Sequence, residues 1–234
     1  MYSVALVGPD GAGKTTIGRR LERTFPMPLK YIYMGDNLEA CNFLLPTTRL
    51  ARAIARTRRA RLHATNNSDR PTPVGRANRT TAALRATAVW ANHQIGEECF
   101  RHLLAWYYQR RGTIVLFDRL YLADYYAHDV APDGRRRSLG QRLHGLLLRR
   151  VYPKPNLVVF LDAPPAVLLA RKGEGTLQWL EARRREYPPI ARLVERFAVV
   201  DASRPEAEVA QKVAALIASV HDARSRRAGR SSLR

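Results

Sequence analysis

Short apolar runs and amphipathic stretches of helical period alternate along this chain, and the alternation sets its elements. The first run, Val4-Ala5-Leu6-Val7, is a buried-type strand, and Ile17, Leu21 and Phe25 follow at four-residue spacing as one face of a helix that Pro26 and Pro28 end. Leu29 to Met34 is a second strand, closing at Gly35-Asp36-Asn37. Leu38 to about Leu62 has a helical pattern, and His63 to Asn78, rich in Asn, Pro, Ser, Thr and Gly, reads as a long loop. Thr80 to Arg111 reads as one or two helices in which Ile95, Cys99, Leu103 and Trp106 form the face expected to pack on the sheet. Arg110-Arg111-Gly112 supplies a basic last turn and a glycine stop.

Thr113 to Phe117 is a third strand, Asp129 to Gly140 an exposed loop and Leu139 to Val151 a helix. Asn156 to Leu161 is the fourth strand; after Pro164-Pro165 the chain continues as helix over Ala166 to Arg171. Phe197 to Val200 is the last strand, and Ser203 and Glu206 are placed for a capping box around Pro205. Val209, Val213, Leu216 and Val220 are the core face of the final helix. Arg224 to Arg234 is basic, serine-bearing and without apolar periodicity, so disorder is expected there. Strands alternating with helices predict an α/β fold around a parallel sheet. The organisation expected is one domain over 1–223 with a basic insertion at about 38–80.

At 234 residues the chain is long enough for one well-packed core. It has no apolar stretch long enough to span a bilayer, and Met1 leads straight into the first strand, so a soluble, cytoplasmic protein is expected. Cys41 and Cys99 lie far apart and in no metal-ligand spacing, which argues against a disulfide framework or zinc site. His93 and His102 have no partner at metal spacing and are taken as structural. The formal net charge of +20 favours anionic partners: nucleotides, nucleic acid or an acidic membrane surface. Only five basic residues are lysines, and the arginine bias also fits GC-rich coding. Arg49, Arg52, Arg56 and Arg59 fall on one helical stripe, which is either a face for an anionic surface or a solvated face.

Candidate chemistry centres on Gly8-Pro9-Asp10-Gly11-Ala12-Gly13-Lys14-Thr15-Thr16. It matches G-x-x-x-x-G-K-[ST], and it sits between a strand and a helix start, as that motif requires. A loop that wraps a triphosphate must turn its backbone N–H groups inward, and glycines at 8, 11 and 13 leave that approach open. The helix N-terminus points at the same phosphates, Lys14 adds a mobile charge, and Thr15 offers a hydroxyl to Mg²⁺. Asp118-Arg119 follows the third strand, where open α/β sheets bind ligands; the aspartate suits a Mg²⁺ and the arginine a phosphate. Arg171-Lys172-Gly173-Glu174-Gly175 is a basic, glycine-hinged segment able to close over a reacting phosphoryl group, and Arg183, Arg184 and Arg185 follow on the next helix.

The phosphate loop, Phe117-Asp118-Arg119, Val158 to Pro165, the basic segment after it, and Val199-Val200-Asp201-Ala202-Ser203 together resemble the thymidylate kinase family. The resemblance covers most of the chain outside about Gly35 to Trp90. It implies a P-loop NTPase fold with a five-stranded parallel sheet in order 2-3-1-4-5, and transfer of the γ-phosphoryl group of ATP, with Mg²⁺, to a nucleotide or related small-molecule acceptor. By the same resemblance Asp10 faces acceptor and metal, Asp118 and Arg119 serve metal and acceptor phosphate, Asp201-Ala202-Ser203 lies near the adenine, and Arg171, with Lys172 and Arg183 or Arg184, belongs to a lid at about 171–187. The chain departs from the family after its second strand, where Met34-Gly35-Asp36-Asn37 replaces an Arg-Glu-Pro loop. It departs again at Asn92, His93 and Gln94, where the family has an acceptor-binding arginine, so the acceptor is expected to differ from thymidine monophosphate. A homodimer is left open. So are two other functional classes: a P-loop ATPase or switch without an acceptor, and a basic nucleic-acid or membrane-binding module that kept the fold.

Overall fold

The computed structural model describes residues 2–35, 42–43, 45–49, 53, 57, 96–120, 146 and 154–231. Two compact units divide the chain: Met1–Cys41 with Ala105–Arg234, and Asn42–Leu104. In the first unit lie β1 (Ser3–Val7), α1 (Lys14–Thr24), β2 (Leu29–Tyr33), β3 (Ile114–Asp118), β4 (Leu157–Asp162), α3 (Pro165–Lys172), α4 (Leu177–Arg185), β5 (Phe197–Asp201) and α5 (Glu206–Ser231). Helix α2 (Glu97–Arg110) begins in the second unit and ends in the first.

The strands form one five-stranded, all-parallel sheet in order β2-β3-β1-β4-β5, flanked by helices. Strands covered on both faces need apolar residues at every position rather than alternate ones, which is why the central strands read as unbroken runs. Every residue of β1 and β3 is buried. Ile17 and Leu21 of α1 join Val209, Val213 and Ile217 of α5 in one core with the inner strands, as the apolar spacing of both helices requires.

Three expectations are corrected. On α2, Cys99, Leu103 and Trp106 are exposed, Leu103 by 65%, whereas Arg101 and Ala105 are buried. Helical spacing shows which residues share a face but not which face turns inward; here small Ala105 takes the inner position. The outer aromatics are covered instead by arginines, with the Arg110 guanidinium 4.3 Å from the Trp106 ring centre and that of Arg111 4.4 Å from Tyr107. The Ser203–Glu206 capping box does not form: the Ser203 hydroxyl and backbone N–H both donate to Asp201, and Glu206 pairs with Arg20 at 3.1 Å. Asp201 is a charged acceptor two residues away, and it captures the serine before the helix can. Finally, α5 does not stop near Ala223 but runs to Ser231; arginine and alanine are strong helix formers, and no proline interrupts the segment.

In the second unit, residues 46–49, 53 and 57 are helical, as the pattern over Leu38 to Leu62 predicts. Arg49 is exposed there, while Arg52, Arg56 and Arg59 lie outside the described residues, as do the loops at 63–78 and 129–140. Among the described residues no helix is long and apolar enough to cross a membrane.

Candidate functional site

The site lies at the C-terminal edge of the sheet, where β1, β3 and β4 release their chains. Between β1 and α1 the loop 8–13 turns through positive φ, and two of its glycines are there for different reasons. At Gly8 a side-chain Cβ would lie 2.6 Å from the Leu161 carbonyl oxygen, so the end of β4 packs directly on the loop. Gly13 has open space around it, but its φ of 86° is a left-handed conformation that other residues adopt at a cost, and it aims the first N–H groups of α1 outward. A cavity of about 540 Å³ opens over this turn. It is lined by Asp10 through Ile17, by Arg171 and Lys172 of α3, and by Ala202, Arg204 and Glu206 among others.

Lys14 is only 6% exposed, and its ammonium donates to the carbonyls of Gly8 at 2.7 Å and Pro9 at 2.8 Å. The Gly8 carbonyl also receives the Tyr187 hydroxyl at 2.9 Å, and the Tyr187 ring stacks on Phe160 of β4. Behind the loop, Thr15 donates its hydroxyl to Asp118 Oδ2 at 2.6 Å, and the Tyr31 hydroxyl donates to the same oxygen at 2.6 Å. Asp118 is fully buried, and its other oxygen, Oδ1, has no hydrogen-bond partner among the described residues. Burial, together with the Asp118 charge, pushes the Tyr31 phenol far above its usual range, so it stays protonated as a donor.

Among the described residues no group of three or more His, Cys, Asp or Glu could hold a metal unaided. Mg²⁺ does not need such a cage: it takes one or two protein oxygens and fills its shell with phosphate and water. The donor set here fits that habit: the Thr15 hydroxyl is bonded to the buried carboxylate of Asp118, whose Oδ1 has no partner among the described residues. Thr15 and Asp118 are the residues that would hold the ion.

On the other side of the loop Asp10 accepts from Arg119 at 2.7 Å, with Lys172 at 3.7 Å and Lys14 at 3.9 Å. Burial pushes the Asp10 carboxyl up, but Arg119, Lys14 and Lys172 together outweigh it and hold the pKa below the usual carboxylate value. Arg119 itself has φ 77°, the left-handed region, immediately after β3. A bulky residue held there stores about 1–2 kcal/mol, a strain that clusters where a side chain must be aimed. A second cavity, of about 380 Å³, shares Asp10 and Arg119 with the first and adds Trp179, Arg183, Glu186 and Tyr187.

The arginines of the 171–187 segment separate by role. Arg171 donates to the carbonyls of Ala202 at 2.8 Å and Ser203 at 3.4 Å, and with Ala202 it lines the first cavity. Arg183 lines the second cavity and pairs with Glu186. Arg184 forms a two-pronged pair with Asp162 at the end of β4, its Nη2 at 2.7 Å from Oδ2. The structure therefore gathers Asp10, Gly11, Ala12, Gly13, Lys14, Thr15, Thr16, Arg119, Arg171 and Ala202 around one cavity. Gly8 and Asp118 do not line it but bond to Lys14 and Thr15, which do, and Ser203 bonds to Asp201 and accepts from lining Arg171.

Tyr31 and Tyr187 escaped the sequence reading. Tyr31 sits in a strand that only the β2–β3 register sets beside Asp118, with Tyr31 opposite Leu116 and Tyr33 opposite Asp118. A tyrosine in an apolar run was the available signal, because a buried phenol requires a partner. No protein-family model and no curated protein matches the chain.

Proposed function

We propose that the protein has the P-loop NTPase fold and is an ATP-dependent phosphotransferase resembling the thymidylate kinases, moving the γ-phosphoryl group to a nucleotide or related small-molecule acceptor. The observation that carries this reading is the pair of cavities meeting at Asp10 and Arg119, one over the phosphate loop and one under Arg183. A switch or simple ATPase needs only the first. Donor and acceptor in adjoining cavities would meet beside Asp10 and Arg119, and holding two reactants in register supplies much of the rate enhancement in phosphoryl transfer.

In the reaction an acceptor oxygen forms a bond to the γ-phosphorus as the bond to the β-bridging oxygen breaks, and ADP leaves with that electron pair. Loop N–H groups and the α1 N-terminus hold the β and γ oxygens. Lys14 exchanges the Gly8 and Pro9 carbonyls for phosphate oxygens, neutralising charge that builds on the transferred group. Arg119 and Arg183 take the acceptor's anionic group, Lys172 adds charge at the junction, and Arg171 with Ala202 borders the base of ATP. Thr15 and Asp118 are the residues that would hold Mg²⁺, which when bound would neutralise phosphate charge.

Measuring ADP release with a panel of nucleoside monophosphates, nucleosides and sugars tests the reading. Acceptor-dependent ADP formation is expected, with thymidine monophosphate a poor acceptor because the Arg-Glu-Pro loop is replaced by Met34-Gly35-Asp36-Asn37. ATP binding with slow hydrolysis that no acceptor accelerates would turn the conclusion to a nucleotide switch. Efficient saturable turnover of thymidine monophosphate would remove the altered-acceptor part of the reading.

A further inference from the structure

We infer that Tyr31 is a positioning residue for the divalent cation of the proposed reaction, holding Asp118 so that Oδ1 is the oxygen left to face the cation's shell; this rests on the phosphotransferase reading above. A carboxylate only accepts hydrogen bonds, so the two 2.6 Å contacts from Thr15 and Tyr31 are both donated to Oδ2. Two short bonds converge on one oxygen while its twin, equally buried, has no partner among the described residues. Leaving a buried carboxylate oxygen unpaired is costly, and native structures retain such an atom where a ligand or ion completes it.

Thr15 alone would not fix this arrangement. Its hydroxyl must give a lone pair to the cation while its proton points at Asp118, so a single bond would have to set both distance and rotation of the carboxylate. The second donor, from a different strand, removes the rotation. Tyr31 is suited to it because the ring cannot move: it is 1% exposed, and it lies so close over α1 that a Cβ at Gly18 would come within 2.6 Å of two ring carbons. Phenylalanine would fill the same space, so packing accounts for the ring of Tyr31 but not for its hydroxyl. Groups that orient a metal ligand through a hydrogen bond typically change metal affinity by 10–100-fold when lost.

The test uses Mn²⁺ as the probe, titrated into the full chain with a non-hydrolysable ATP analogue and followed by the paramagnetic resonance of free Mn²⁺, so that no turnover enters the readout. Tyr31→Phe is expected to weaken Mn²⁺ binding about tenfold while leaving metal-free affinity for the analogue unchanged. Gly18→Ala keeps the phenol but pushes the ring off its seat, and it is expected to weaken Mn²⁺ binding in the same direction. It carries the comparison by itself in case Tyr31→Phe does not fold. Wild-type protein that binds the analogue but takes up no Mn²⁺ with it would remove the phosphotransferase reading and this inference together. Wild-type uptake matched within twofold by both variants would overturn the inference alone, as would an equal loss of metal-free analogue affinity, which would make Tyr31 a packing residue of the loop.

Discussion

Replacing Lys14 by alanine separates the chemistry proposed for the loop 8–13 from the folding of that loop. The substitution deletes two charge-assisted hydrogen bonds, to the carbonyls of Gly8 and Pro9. Neither carbonyl is orphaned by the loss: Gly8 keeps the Tyr187 hydroxyl at 2.9 Å, and Pro9 keeps the Ala12 N–H at 3.2 Å. The stability cost is therefore at the low end for such bonds, about 1–2 kcal/mol. At roughly 2–4 °C per kcal/mol for a chain of this size, the thermal midpoint should fall by about 2–8 °C with cooperative unfolding intact. If the protein is the phosphotransferase proposed above, catalysis should suffer far more, because in that reading the same ammonium is the charge that meets the transferring phosphoryl group. Loss of such a group is expected to slow ADP release on the order of a hundredfold or more, about 3 kcal/mol of barrier. The assay pairs a thermal melt with ADP release on the best acceptor of the panel, and Lys14→Met, which keeps the buried stem, controls for packing. A folded Lys14→Ala protein with wild-type turnover would falsify the proposed role, and a collapse of folding in both variants would make Lys14 a structural residue.

Asp10 titrates below its ordinary value near 3.8, so it contributes stability above that pH and loses it as pH falls through the lower folded value; acid melts of Asp10→Asn should lack this part of the slope below about pH 4. His102 is held down by burial, and further by Arg101, to a pKa of about 4 from 6.5. Its neutral form stabilises the fold fully above pH 6.5 and progressively less down to about pH 4, and a pH series of thermal midpoints should be flatter for His102→Gln across that window. Arg184→Ala leaves Asp162 without its two-pronged partner at the end of β4. Since the Arg184 side chain is a third exposed, the expected loss is about 1 kcal/mol, below the range for fully buried pairs, and a denaturant midpoint measures it.

Much of the frame was legible in the chain itself. Strands buried on both faces cannot hide their composition, which made β1, β3 and β4 plain; all five strands appeared within a residue or so of their observed limits, the half-exposed β5 included, and Ile17 and Leu21 marked the inner face of α1 correctly. The glycine-rich turn between β1 and α1 was legible for a related reason. Gly13 has open space around it, so its φ of 86° alone favours glycine there, a local property, whereas Gly8 and Gly11 are also closed in by the Leu161 and Leu168 carbonyls.

What tertiary structure alone decided are the relations between distant segments. Nothing in the local pattern of α2 says that Arg101 and Ala105 turn inward while Leu103 and Trp106 face water, because helical period is blind to the direction of the core. The meeting of Tyr31, Thr15 and Asp118 depends on the parallel register of β2 with β3, which lie more than eighty residues apart in the chain. Three of the four arginines of the 171–187 segment show it: they look alike in sequence, but Asp162, Glu186 and the Ala202 carbonyl give Arg184, Arg183 and Arg171 different positions. Sequence carries residue type and local period, which are properties of neighbours. Partner choice is set by which acceptors the folded chain brings within about 3 Å, a property that exists only after the sheet has formed.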